Sequence, residues 1–221
     1  MLHLYRGLPK PIYALFLATI MNGLGIFVYP FMVLLLTQHL GYSDAWTGAF
    51  MSLAALAYLP GSFIGGKLAD TFGRKRVMVY SQLLASAMFV VCGFLGTSHL
   101  IPLFIFLNLM FDGATDPARS ALMTDCTTQE NRQVSFSLNY LGYNIGFTLG
   151  PLIGGLLFYR APQWLFFGNA IAGVLAIIYV AFTVPESKPD RAVIEASYTS
   201  DSTERGHRGG WIQALLSRPR L

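Results

Sequence analysis

Residues 65–76 read GGKLADTFGRKR, and five of these twelve side chains, Lys67, Asp70, Arg74, Lys75 and Arg76, are charged in a 221-residue chain that is 12% charged and 54% hydrophobic. Continuous apolar runs flank the stretch at 46–66 and 77–97, each close to the ~20 residues a helix needs to cross a bilayer. A short charged link between two such runs is a turn at a membrane surface. The same measure finds runs at 12–36, 100–122, 134–158 and 163–184, so six spans are expected. The runs do not alternate apolar with polar, which predicts helices and not barrel strands. A mean hydropathy of +0.51 excludes an ordinary soluble core. The first run is too long, and too poor in small residues at its end, for a signal peptide.

Positive charge predicts the orientation, because Lys and Arg are retained on the cytoplasmic side. With the N-terminus inside, fourteen of the fifteen Lys and Arg residues fall at cytoplasmic ends or loops, and only Arg160 falls outside. The expectation is a multi-pass protein of a plasma or inner membrane, with both termini cytoplasmic. The net charge of +4 is then a consequence of topology and calls for no nucleic-acid partner. Cys92 and Cys126 show no disulfide pattern. His3, His39, His99 and His207 lie scattered over termini and loops without ligand spacing, so neither metal nor cofactor is expected.

GSFIGG at 61–66 recurs as GPLIGG at 150–155, an offset of 89, and Asn22-Gly23 is echoed by Asp112-Gly113, an offset of 90. These matches predict two three-helix copies. An odd number of spans per copy makes the second run inverted, the pattern of secondary transporters. The expected fold class is therefore an all-α membrane protein of six helices in two inverted repeats. Residues 1–184 form the bundle, 185–210 a polar cytoplasmic linker, and 211–221 the start of a further segment, as if more chain followed.

Within the opening stretch, Gly66 and Gly73 suit a tight reversal, and Arg74, Lys75 and Arg76 suit an anionic membrane surface. Asp70 does not, unless a cation or a helix N-terminus answers it. Gly66-Lys67-Leu68-Ala69-Asp70-Thr71-Phe72-Gly73-Arg74-Lys75-Arg76 resembles the G-x-L-a-D-r-x-G-r-k signature of the major facilitator superfamily, with Thr71 in place of the usual basic residue. The resemblance implies that Asp70 caps and pairs with a helix of the other half of a twelve-helix transporter. It also implies that Arg74 pairs with Asp125 at the end of span four.

In span five, Gly142, Gly146, Gly150 and Gly154 recur every four residues, with Pro151 and Gly155 beside them. That spacing lays glycines on one helical face for close packing, and the proline bends the helix. The pattern also resembles the motif of the drug/proton antiporter branch of the same superfamily. Span four carries FDGATDPARSALMTD. Asp112 falls near the bilayer midplane, where an ionisable group is a functional candidate. Asp116 has Arg119 three residues on, in reach of a neutralising pair. The family's intramembrane Arg is absent: Leu109 occupies its place. Asn22, near Gly23, Gly25 and Pro30, belongs to a weakened first span fit to line a cavity. Gln82, Asn108, Asn139, Asn144 and Asn169 are either cavity-facing or interhelical hydrogen-bonders. Pro185-Glu186-Ser187 resembles a motif found at the end of span six in sugar porters.

No G-x-S-x-G, H-E-x-x-H or Walker loop is present, and DGATDPAR departs by two residues from the D-G-x-x-A-R opening of CDP-alcohol phosphotransferases, so no enzyme is expected. The resemblance implies a secondary transporter, a proton-coupled exporter of small amphipathic or cationic compounds working by alternating access. Its partners are small-molecule substrates, protons, the bilayer and a missing C-terminal six-helix half. A proton-coupled uptake symporter and a truncated, non-transporting half are the alternatives.

Overall fold

The computed structural model describes residues 5–188. The expected linker beyond 188, the segment at 211–221 and the cations there lie outside the described residues. Among the described residues, seven α-helices and one π-helical turn account for the regular structure, and there is no strand. They are α1 (Lys10–Leu24), α2 (Val28–Leu34) running into the π-helical turn Leu35–His39, α3 (Asp44–Phe72), α4 (Arg74–Leu95), α5 (Ile101–Asp125), α6 (Gln129–Phe158) and α7 (Gln163–Thr183).

Among the described residues, five stretches are long and apolar enough to cross a membrane: Lys10–His39, Asp44–Phe72, Arg74–Leu95, Gln129–Phe158 and Gln163–Thr183. The sixth expected span, α5, has the length at 25 residues but falls short in apolarity, because Asn108, Asp112, Asp116 and Arg119 interrupt it. The first expected span is not one helix. It breaks at Gly25–Phe27, where a Cβ on Gly25 would overlap Ala172 of α7. The break lets the chain pass α7 at glycine distance before the helix resumes.

Local signals explain the helix ends. Ser43 accepts from the Trp46 amide at 3.3 Å, and Thr128 and Asn131 form a reciprocal capping box, each satisfying amides that a first turn leaves free. Pro60, Pro117 and Pro151 are absorbed inside α3, α5 and α6.

Around the bundle the helices contact in the order α3, α5, α4, α7, α1, α6. Two buried apolar clusters divide it along its length. One gathers the start of α1 and α4 with the ends of α3, α5 and α7, around Ile12, Val77, Leu122 and Val180. The other gathers α2 with the end of α4 and the starts of α5 and α7, around Met32, Phe89, Ile105 and Phe166. Successive long helices therefore alternate in direction.

The closest helix approaches run through glycine. A Cβ on Gly146 of α6 would sit 2.6 Å from the Gly23 Cα of α1. On α3, Gly61 and Gly65 abut the backbone of Met110 and Ala114 in α5. Gly142, Gly150 and Gly154 complete the buried α6 face. Gly155 lies off it, at ordinary contact distance from Phe31.

Candidate functional site

Between the two apolar clusters lies a polar cavity of about 240 Å³. The sequence order along α5 accounts for its depth: Ile101 and Ile105 belong to one cluster, Ala118 and Leu122 to the other, and Asn108, Asp112, Asp116 and Arg119 face the space between. Spacings of four, four and three residues keep these four on one helical face. Asn22 of α1, Gln82 and Ser86 of α4 and Asn169 of α7 close the polar wall, while Phe89, Tyr29, Tyr143 and Phe147 supply aromatic surface.

The polar groups divide by how well they are satisfied. Asn108 is 2% exposed; its Oδ1 accepts from the Tyr29 hydroxyl at 2.7 Å and its Nδ2 donates to the Ala85 carbonyl at 2.8 Å. Asp116 accepts from the Tyr58 hydroxyl and lies 3.2 Å from Arg119 Nη1. Asn169 Oδ1 is buried with no hydrogen-bond partner among the described residues. Asp112, half-way along α5, lines the cavity and makes no hydrogen bond or ion pair with any described residue. The carboxylates of Asp112 and Asp116 against the Arg119 guanidinium leave the cavity one net negative charge.

Of the other asparagines, Asn139 Oδ1 accepts from Thr19 at 2.7 Å, which ties α6 to α1. Asn144 Nδ2 donates to Tyr140 of its own helix. Neither lines the cavity. Tyr29 and Tyr58 carried no signal by themselves, yet Tyr58 stands at i−3 and i−7 from Gly61 and Gly65, so the glycine face that packs on α5 also aims Tyr58 there.

The charged stretch forms a second constellation, at the end of the bundle where α3 turns into α4. Gly73, at φ +110°, makes the turn alone, in a conformation that other residues rarely adopt. Arg74 reaches across to α5, where it pairs with Asp125 and donates to the Ala121 carbonyl at 3.1 Å. Lys75 and Arg76 give their backbone amides to the Glu186 carboxylate at 2.9 and 3.1 Å, so Glu186 caps α4 from 110 residues away, an acid at a helix N-terminus. Ser187 bonds Asp125 through its hydroxyl and accepts from the Arg74 amide at 3.0 Å. Cys126 follows Asp125, and burial with that neighbouring charge pushes its thiol up. Asp70 stands apart: its side chain is 66% exposed and its one ion-pair partner among the described residues, Arg74, is 3.9 Å away. Gly66 has only the ring of Pro117 within reach.

A family model of the Major Facilitator Superfamily matches residues 15–219. Among curated proteins, the chain is 34% identical to the uncharacterised MFS-type transporter YqjV of Bacillus subtilis over 61% of its own length and 32% of the relative. It is 28% identical to the 4-hydroxybenzoate transporter PcaK of Acinetobacter baylyi, over 78% of this chain and 38% of that one. With the multidrug resistance protein MdtH of Salmonella typhimurium the identity is 27%, over 83% and 45%. The chain thus spans about a third to a half of the length of these relatives. The solved peptide transporter POT in complex with sulfate shares its fold with a TM-score of 0.68 at 25% identity, over 88% of this chain and 44% of that one.

Proposed function

The chain belongs to the major facilitator superfamily, and from that premise we propose that it forms the six-helix half of a proton-coupled exporter of small amphipathic cations. The observation that carries the reading is the cavity's single uncompensated carboxylate, Asp112. One net negative charge in a site lined by aromatic rings suits one positive charge at a time, either a proton or an organic cation whose apolar body lies on Tyr29, Phe89, Tyr143 or Phe147. Competition for one carboxylate is the simplest way to couple outward substrate movement to inward proton movement.

Roles follow from the geometry. Asp112 exchanges proton and substrate. Asp116, Arg119 and Tyr58 form a neutral set that holds α3 against α5 beside it, and Asn22 and Asn169 orient the substrate. Transport of a carboxylate, which the name of the 4-hydroxybenzoate transporter would imply, needs a free cation in the cavity, and Arg119 is committed to Asp116. The name of the multidrug relative and the glycine face of α6 favour export.

The inverted repeat is supported by equivalences between contacts. α3 packs on α5 as α6 packs on α1, and α5 meets α4 as α1 meets α7. The glycines that mediate them, Gly61 with Gly150 and Gly113 with Gly23, are the positions related by the 89- and 90-residue offsets. In alternating access this half rocks against a second six-helix half about the cavity. The cations at the Arg74 end support a cytoplasmic position for that end at a plasma or inner membrane.

The test uses tetraphenylphosphonium as the probe. Its binding to the 221-residue chain weakens as pH falls, and Asp112→Asn removes that dependence. In proteoliposomes of the transporter assembled from both halves, an imposed pH gradient drives flux that Asp112→Asn abolishes. Gradient-driven flux that survives Asp112→Asn refutes the assignment.

A further inference from the structure

A second and larger hollow lies on the outside of the bundle, between α3 and α4, with α5 as its floor. Its volume is about 550 Å³. Met110, Phe111 and Ala114 of α5 line it, and they fall between the cavity-facing positions 108, 112, 116 and 119. At 100° per residue they occupy the flank and back of the helix, so the groove looks away from the polar cavity. Its walls are Ile64, Leu68 and Phe72 on α3 and Tyr80 and Leu84 on α4, all exposed large side chains.

Three properties define an occupant. The wall from Gly61 to Phe72 covers twelve residues, eleven steps or roughly 16 Å at ~1.5 Å per residue, which matches one leaflet of a hydrocarbon core about 30 Å thick. Apart from Ser81 and the Tyr80 hydroxyl on α4 the lining is apolar, and at one end Arg76 enters it. The Arg76 side chain is 70% exposed, and only its Nε approaches a carboxylate, Glu186 Oε2 at 3.7 Å. The groove therefore joins a leaflet-deep apolar trough to a single cation at its mouth.

We propose that this groove is a binding site for one anionic phospholipid, its acyl chain laid along α5 between α3 and α4 and its phosphate on the Arg76 guanidinium. The inference rests on the membrane reading of the helices and not on Asp112 or on transport, so either proposal can fail alone. A lipid held here bridges α3, which carries Asp70, and α4, which carries Arg74, across the turn at Gly73.

Native mass spectrometry of the 221-residue chain with phosphatidylglycerol and phosphatidylcholine tests it. The chain retains phosphatidylglycerol in preference, and Arg76→Gln lowers that retention roughly five-fold, the effect of one cation at an anionic surface, to the phosphatidylcholine level. Lys67→Gln, exposed on α3 outside the groove, changes nothing. Leu68→Trp, which fills the trough, lowers retention of both lipids. Equal retention of the two lipids by the native chain, or an unchanged preference in Arg76→Gln, overturns the site. A Tyr80→Trp variant gives an independent readout in bilayers: brominated phosphatidylglycerol quenches the added indole more than brominated phosphatidylcholine does, and equal quenching overturns the proposal even if Arg76→Gln fails to fold.

Discussion

Asn108 and Asp112 stand one turn apart on α5, and substituting each has a different cost. Asn108 bonds Tyr29 and the Ala85 carbonyl at once, so Asn108→Ala strands the Tyr29 hydroxyl at a site 2% exposed, while the Ala85 carbonyl keeps its place in the α4 helical ladder. The expected loss is about 1–3 kcal/mol, read as a lower unfolding midpoint in mild denaturing detergent. Asp112→Asn removes no hydrogen bond or ion pair seen among the described residues and replaces a desolvated charge with an isosteric amide. Its midpoint is expected to hold or rise, while pH-dependent cation binding disappears. Acids and amides within apolar runs were legible in the sequence, because any polar group there demands an explanation. Their tyrosine partners were not: whether a phenol donates to an acid 58 residues away depends on which helices meet. The carboxylate of Glu186, more than 100 residues from the amides it caps, was hidden for the same reason.

At the scale of elements, glycine decides where helices touch. The four-residue spacing of Gly142, Gly146, Gly150 and Gly154 announced a close-packing face before its partner was known. The partner is α1, and the tightest point is backbone against backbone, Gly146 on Gly23. A methyl group there has no flexible side chain to displace, so Gly146→Ala forces α1 and α6 apart. Overpacking of this kind costs typically about 1–3 kcal/mol. Gly155→Ala places its methyl 3.6 Å from Phe31, an ordinary contact, and is expected within about 0.5 kcal/mol of the native chain. Comparing the two midpoints separates the face from its flank; equal losses would mean that α6 responds to any lost glycine and not to the α1 contact. Asn22, Gly23, Gly25 and Pro30 marked the first span as weakened, but they did not show that the helix stops at Gly25–Phe27 and resumes. What interrupts the helix is the nearness of α7, a tertiary fact.

For the molecule as a whole, the charged turn separates what holds this bundle together from what faces outward. Arg74 belongs to the first kind: it ties α4 to Asp125 and Ala121 of α5, and its side chain is 15% exposed. Asp70 belongs to the second. Its pair with Arg74 at 3.9 Å, on a side chain 66% exposed, is worth no more than about 0–1 kcal/mol. In the proposed transporter, a carboxylate beside a cation-rich turn yet barely used by its own bundle is expected to act across the interface, on the helix of a second half. Arg74→Gln is therefore expected to lower the unfolding midpoint of the 221-residue chain, because it leaves Asp125 beside a buried, empty place. Asp70→Asn should leave that midpoint within about 0.5 kcal/mol while reducing gradient-driven flux of the assembled transporter by at least roughly ten-fold, the effect of about 1.4 kcal/mol lost from one conformational state. An Asp70→Asn chain that unfolds as early as Arg74→Gln would assign Asp70 to the bundle's own stability, and the argument for a partner across the interface would lose its footing.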